Sequence, residues 1–388
     1  MIKDIETKKY DKYDKEVEIV LRMSKINASD NDYSYVRKLA ENNNIKWDKI
    51  IGILILNRLV GVAYKNLNKC IILPIEVERA LMAIFEVQEQ IVLEQKNQIM
   101  IIGTEFERRN LNYCFLKGAV LNSIVYELGE RVSNDTDILV DEKELDQFIE
   151  ALEALGYIQG YIYDGKIVPA SKKEKLFARM NTYEIIPFHK QIHNKFMPIH
   201  SIDINFKLSN EYSEAKANNL LENSLIIGNS NFMLRTMELE KFILFLCVHL
   251  YREAVMAYKI MQGKDLSLYK FMDIHFMLIK YKEEIDINKL YGIAEKICKI
   301  KEVFFAFYYT EKLFPGTFGE NILEMFQPDD VAYLNQYKSR DNTEVIFTWK
   351  EEFEQRVFSD TRVEEARQNI EGEEKRRKSI INMLGNEK

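Results

Sequence analysis

The stretch Phe115–Val140, FLKGAVLNSIVYELGERVSNDTDILV, constrains the fold more than any other part of the 388-residue chain. An apolar strand is predicted to end at Lys117 and Gly118, and a helical pattern follows them. A second strand then begins with Asp135 and Asp137. Because strand side chains alternate between faces, both carboxylates are expected to point the same way. Two acids on one face repel each other unless a cation offsets their charge.

This strand–helix–strand arrangement resembles the nucleotidyltransferase fold of the DNA polymerase beta superfamily. More narrowly, it is similar to a bacterial nucleotidyltransferase family with an LKG…R…D-x-D-hydrophobic pattern, matched here by Leu116–Gly118, Arg131 and Asp135–Val140. The superfamily carries a third carboxylate on a later strand, for which Asp203 in HSIDINFKL is the candidate. The resemblance extends weakly over Trp47–Leu278.

The resemblance implies a role for each acid. Asp135, Asp137 and Asp203 would hold Mg²⁺, or Mn²⁺ in its place, since hard cations take oxygen ligands. Asp203 would act as the base on the attacking hydroxyl or as a ligand of the catalytic metal. The alternative for Asp135 and Asp137 is a polar strand edge or a helix cap and turn, and for Asp203 an acid on an edge strand.

A phosphate-binding role is expected for Lys117, Gly118 and Arg131. A glycine that opens a helix lets backbone N–H groups approach a phosphate. The superfamily usually follows this glycine with a small polar residue, whereas this chain has Ala119. Lys117 and Arg131 are therefore expected to bind the triphosphate or the leaving pyrophosphate. The alternative for both is an ordinary surface cation.

The overall composition favours a folded cytoplasmic protein. The net charge of −7 disfavours a broad nucleic-acid interface. The four cysteines are scattered and are expected to be reduced. No apolar segment reads as a signal peptide or as a membrane span.

An α+β fold is predicted, with a central mixed-sheet domain between two helical domains. The boundaries are 1–110 for the N-terminal helical domain, 111–210 for the nucleotidyltransferase domain and 211–388 for the C-terminal helical domain. Within them, Asp30–Asp32 is predicted as a loop and Ile75–Arg109 as one long helix. Leu176–His189 is predicted as a strand region, and the chain is expected to be helical after Asn210.

The predicted reaction is the transfer of a nucleoside monophosphate from an NTP, such as ATP, to an acceptor. The acceptor is a small molecule, a peptide natural product or a protein. The alternatives are a nucleotidyltransferase-fold scaffold without catalysis and an RNA-end nucleotidyltransferase. His249 and Asp273 lie in apolar helices and are expected to form a buried polar pair, or else to contact the substrate.

Overall fold

The computed structural model describes residues 13–26, 28–42, 44–182, 184–207, 220–229, 232–339 and 345–385. Its N-terminal part is helical. The helices are α1 (Lys15–Met23), α2 (Asp30–Asn42), α3 (Trp47–Leu56), α4 (Val60–Cys70) and α5 (Ile75–Arg108). Pro74 precedes α5, where its fixed φ suits a helix start and its missing N–H costs nothing. The long helix predicted from Ile75 is confirmed to within one residue.

A six-stranded mixed sheet follows. Its strands are β1 (Tyr113–Phe115), β2 (Thr136–Val140), β3 (Ile158–Tyr163), β4 (Lys166–Pro169), β5 (Phe188–Gln191) and β6 (Ile199–Asn205). Their order is β1-β2-β6-β5-β3-β4, and β2 and β6 run parallel while the other neighbours are antiparallel. The helices of this region are α6 (Lys117–Ile124), α7 (Leu145–Ala154) and α8 (Lys172–Asn181).

Beyond the sheet the chain forms a hairpin and then helices. The hairpin strands are β7 (Leu225–Asn229) and β8 (Phe232–Thr236). The helices are α9 (Leu239–Val255), α10 (Ala257–Met261), α11 (Leu268–Lys280), α12 (Ile287–Lys296), α13 (Ile300–Leu313) and α14 (Glu320–Phe326). A small β9 (Gln336–Lys338) and β10 (Ile346–Thr348) pair precedes α15 (Phe353–Phe358) and α16 (Thr361–Gly385).

The predicted α+β fold, a mixed sheet with helical regions on either side in sequence, is confirmed. One cluster of buried apolar residues includes Ile19 of α1, Phe188 of β5 and Phe304 of α13. The sheet therefore packs in a core shared with both helical regions. The three domain ranges stay predictions.

Three local predictions are wrong. Asp30–Asp32 is not a loop but the first turn of α2, where Asp32 accepts hydrogen bonds from the backbone N–H and hydroxyl of Ser29. Acids are favoured at that end of a helix because of its dipole. Leu176–His189 is only partly a strand region, since Leu176–Asn181 belongs to α8 and only Phe188 and His189 lie in β5.

The sequence around α8 explains that error. Ser171 and Glu174 form a capping box, in which the Ser171 hydroxyl accepts from the Glu174 N–H and the Glu174 carboxylate accepts from the Ser171 N–H. A capping box stabilises the first turn of a helix and so determines where the helix begins. The third wrong prediction is the all-helical C-terminal part, which contains the β7–β8 hairpin.

Within the described ranges, no helix combines the length and the apolar character that crossing a bilayer requires.

Candidate functional site

Asp137 and Asp203 lie directly opposite each other on the parallel strands β2 and β6. Residues in register on neighbouring strands point to the same face of a sheet, so the two carboxylates share one face. Asp135 precedes β2 by one residue and lines the same cleft. The structure thus brings together the three acids that the sequence singled out.

The central cleft lies between this edge of the sheet and the surrounding helices and encloses about 300 Å³. The sheet region contributes acids to it, and the helices contribute most of the cations. Its charged lining residues are Arg58, Lys117, Arg131, Asp135, Asp137, Glu184, Asp203, Arg252, Glu253, Lys259, Lys264, Lys270 and Asp273.

Among the described residues on the sheet side of the cleft, Asp137 is the only acid in an ion pair. Burial raises the pKa of Asp137 to about 6, with Asp135 adding to the rise and Lys117 opposing it. Burial also raises the pKa of Asp203 to about 8, and the neighbouring charges of Asp137 and Asp135 contribute. Both shifts mean that the folded protein disfavours the charged carboxylates, so a bound cation would relieve a real cost.

Lys117 supplies the counter-charge that is present. Its Nζ donates a hydrogen bond to Asp137 Oδ1 at 2.6 Å. Burial alone would lower the pKa of Lys117, but Asp137 and Asp135 raise it above its usual value. The residue is the first of α6 and has a φ of 42°, in the left-handed region. In this state its ammonium contacts a carboxylate; the predicted contact to phosphate stays a prediction.

Gly118 is required by close packing. A Cβ at this position would lie 1.7 Å from Ser133 Oγ and 2.7 Å from Arg131 Nη1. The side of Gly118 on which a Cβ would stand is therefore filled by the segment that leads into β2. This contact explains the glycine without a ligand, and its predicted role in binding phosphate stays a prediction.

Arg131 forms a buried, two-pronged ion pair with Asp273 of α11. Its Nε and Nη2 donate to Asp273 Oδ1 and Oδ2 at 2.8 and 2.9 Å, and its Nη1 donates to Ser133 Oγ at 2.6 Å. The Tyr126 hydroxyl also donates to Asp273 Oδ1, at 2.8 Å. The guanidinium therefore ties the segment before β2 to α11. The predicted contact of Arg131 to phosphate stays a prediction.

His249 and Asp273 are each in polar contacts, but with different partners. His249 Nε2 lies 3.3 Å from Glu253 Oε2, and Nδ1 lies 3.2 Å from Arg252 Nη2. Burial lowers the pKa of His249 to about 3, so the ring is neutral at pH 7. The expected His249–Asp273 pair is thus replaced by two separate contacts.

Glu253 of α9 forms ion pairs with two lysines on the helical side of the cleft. Its Oε1 lies 3.0 Å from Lys259 Nζ, and its Oε2 lies 2.5 Å from Lys270 Nζ. These pairs hold α9, α10 and α11 together where they border the cleft. No local sequence pattern predicts these ion pairs, because the three residues belong to separate helices.

Two further lining residues, Glu184 and Asn205, were not predicted from the sequence, and they face each other in an isolated antiparallel bridge. Asn205 is 5 % exposed, and its Nδ2 has no hydrogen-bond partner in the described part of the chain. Asn205 follows Asp203 by two residues on β6 and so shares its face. That spacing was a usable signal. The neighbouring charge of Glu184 adds to the raised pKa of Asp137 and Asp203.

The donor set suits a hard cation. Carboxylate oxygens and an amide oxygen are the ligands that Mg²⁺ prefers. As the side chains stand, however, the described residues contain no group of three or more His, Cys, Asp or Glu side chains arranged to hold a metal ion. Asp137 instead contacts Lys117. The residues fit the ion by chemistry and charge, and binding requires side-chain movement.

Comparison with known proteins gives one family. A family model described as an uncharacterised nucleotidyltransferase matches residues 43–315, which is more than half of the chain. No curated protein matches. Among solved structures, an antigenic nucleotidyltransferase-like protein from Paracoccidioides brasiliensis is 9 % identical, with a TM-score of 0.35 over 59 % of this chain and 92 % of that one.

Proposed function

The chain belongs to the family of uncharacterised nucleotidyltransferases, and we propose that it transfers a nucleoside monophosphate from an NTP to an acceptor in the presence of Mg²⁺. The observation that carries the proposal is the register of β2 and β6, which opposes Asp137 and Asp203 on one face. Asp135 completes a set of three acids at the same cleft.

The proposed reaction is an in-line displacement. The acceptor oxygen forms a bond to the α-phosphorus, the bond from that phosphorus to the bridging oxygen breaks, and pyrophosphate leaves with the electron pair. Asp203 is the candidate to take the acceptor proton, or else to serve as a metal ligand. Most of the acceleration would come from positioning and charge neutralisation.

Asp135, Asp137 and Asp203 are the proposed holders of Mg²⁺ or Mn²⁺. A bound divalent ion would neutralise the phosphate oxygens and the acids. The raised pKa values of Asp137 and Asp203 support this assignment, because a group of acids that lacks counter-charge gains from a cation. Lys117 would have to leave Asp137 or share it as the ion binds.

The acceptor is proposed to be a small molecule, a peptide or a protein. A catalytically inactive scaffold and an RNA-end nucleotidyltransferase are the alternatives, and no observation favours either.

Thermal unfolding with each of the four ribonucleoside triphosphates tests the proposal. With Mg²⁺ present, at least one NTP is expected to raise Tm, since a ligand at 100 times its Kd stabilises the native state by about 2.7 kcal/mol. The same NTP is expected to have a much smaller effect with EDTA in place of Mg²⁺. If none of the four NTPs stabilises the protein with Mg²⁺, the proposed function is wrong.

A further inference from the structure

Five helices in the described part of the chain end in the same backbone arrangement. In each, one residue with positive φ donates its N–H three residues back, and the next residue donates five residues back. This is the hydrogen-bond pattern of a helix end closed by a left-handed residue. The left-handed residues are Arg58, Asn110, Gly156, Gly263 and Cys298.

Arg58 is unusual at such a position. Glycine has no Cβ to clash in the left-handed region, and asparagine tolerates it better than other residues do. The chain uses glycine at Gly156 and Gly263 and asparagine at Asn110, but cysteine at Cys298 and arginine at Arg58, each of the last two with a φ of 55°. A residue held at a conformational cost is a reason to look for a function.

The structure shows where the Arg58 side chain lies. It lines the central cleft, and its guanidinium is 5.2 Å from the centre of the Tyr269 ring. The neighbouring Asn57 Oδ1 accepts a hydrogen bond from the Leu268 N–H at 2.9 Å, which fixes the end of α3 against the start of α11. No carboxylate in the described ranges forms an ion pair with Arg58.

Four of the other cations that line the cleft are paired with carboxylates. Lys117 contacts Asp137, and Arg131 is bonded to Asp273. Lys259 and Lys270 both contact Glu253. Arg58 thus offers a planar fork of N–H donors that is not committed to an internal carboxylate, and this geometry suits phosphate oxygens.

We propose that Arg58 binds the β- and γ-phosphates of the nucleotide, an inference that rests on the proposed function. With the α-phosphate at Asp135, Asp137 and Asp203, the rest of the triphosphate would extend toward the helical side of the cleft. The N-terminal helices would then contribute directly to the nucleotide site through α3.

Calorimetric titration of Arg58→Asn tests the proposal, since asparagine suits the left-handed backbone and removes the guanidinium. The probes are inorganic tripolyphosphate and the four ribonucleoside triphosphates, each with Mg²⁺, and the four nucleosides. Tripolyphosphate and the preferred NTP are expected to bind about tenfold to a hundredfold more weakly, as for a lost charge-assisted contact. Nucleoside binding is expected to stay unchanged.

Cys298→Asn is the matched control. Cys298 is exposed, ends α12 with the same hydrogen bonds as Arg58 ends α3, and does not line the cleft. Its substitution is expected to keep full affinity for tripolyphosphate and to leave Tm equal or higher. Arg58→Lys, which keeps the charge but loses the fork, is expected to bind with intermediate affinity and serves as the second variant if Arg58→Asn does not fold.

Three outcomes overturn the inference in different ways. If Arg58→Asn binds tripolyphosphate as the wild type does, Arg58 is not a phosphate contact and the proposed function stands. If NTP and nucleoside affinities fall equally, Arg58 shapes the nucleoside pocket instead. If the wild type binds neither tripolyphosphate nor any NTP, the proposed function fails together with the inference.

Discussion

The ammonium of Lys117 donates a hydrogen bond to Asp137 Oδ1 at 2.6 Å, so the first residue of α6 neutralises an acid of β2. This contact joins the two parts of the motif on which the proposed function depends. It also places the lysine where a metal ion held by Asp137 would have to compete with it or displace it.

The substitution Lys117→Ala separates a structural role of the lysine from a role in binding phosphate. Losing the hydrogen bond to Asp137 is expected to destabilise the metal-free protein by about 1.5–3 kcal/mol in urea unfolding. If the ammonium also contacts phosphate when nucleotide binds, NTP affinity will fall about tenfold to a hundredfold while nucleoside affinity stays unchanged. Equal affinity of both proteins for NTP would limit Lys117 to the structural role.

Arg131 and Asp273 are expected to behave as one unit. Arg131→Ala leaves a buried carboxylate without its partner and is expected to cost about 3–5 kcal/mol of stability. A double-mutant cycle with Asp273→Asn, followed by urea unfolding, is expected to be non-additive, because the second change removes the charge that the first one stranded. Additive losses would mean that the pair does not fix the segment before β2 to α11.

Asp203→Asn is expected to stabilise the protein in the absence of metal. The pKa of Asp203 is raised to about 8 in the folded state, against about 3.9 when unfolded. The folded state therefore holds this proton more tightly, and the wild type loses stability as pH rises from about 4 to about 8. Calorimetric melts in EDTA should give the variant a higher Tm at pH 8, with a smaller difference at pH 5. A lower Tm for the variant at pH 8 would contradict the crowding of the acids.

The buried His200 is expected to change stability with pH in the opposite direction to Asp203. Burial lowers its pKa to about 3, against about 6.5 when unfolded, and its ring contacts Thr136 Oγ1 at 3.0 Å and the Tyr157 hydroxyl at 2.8 Å. The unfolded state binds more protons, so this group costs stability as pH falls from about 6.5 toward about 3.

The variant His200→Gln removes this titration. In urea unfolding between pH 4.5 and 6.5, the slope of the unfolding free energy is expected to be shallower by up to about 1.4 kcal/mol per pH unit. Tm at pH 7 is expected to fall, because the buried contacts to Thr136 and Tyr157 are disturbed. A slope equal to that of the wild type would show that His200 does not remain neutral in the folded state.

The parts of the site that could be predicted from the sequence are those that depend on the spacing of residues close together in the chain. The two-residue spacing of Asp135 and Asp137 and the apolar residues after them predicted β2, and the apolar neighbours of Asp203 predicted β6. The β7–β8 hairpin was missed although Gly228 and Asn229, at the end of β7, interrupt two apolar runs and were a usable signal.

The remaining features depend on residues far apart in the chain. Arg131 meets Asp273 across 142 positions, and a long charged side chain has many sterically allowed partners. Gly118 is predicted to contact phosphate, and its close approach to Ser133 is a further reason for glycine that depends on the packing of the whole segment. The left-handed backbone conformation of Arg58 can be recognised only from its φ angle in the structure.

The central claim is that Asp135 and Asp137 hold a divalent ion at a nucleotide site. Electron paramagnetic resonance of Mn²⁺, titrated into the protein with its stabilising NTP, measures this directly. The wild type is predicted to deplete the free Mn²⁺ signal. Asp135→Asn and Asp137→Asn are predicted to stay folded and to bind Mn²⁺ at least about tenfold more weakly, because losing a ligand costs at least as much as losing a residue that supports one.

The control Asp164→Asn, in the exposed β3–β4 turn, should bind Mn²⁺ as the wild type does. Wild-type Mn²⁺ binding by both folded Asp135 and Asp137 variants would contradict the account.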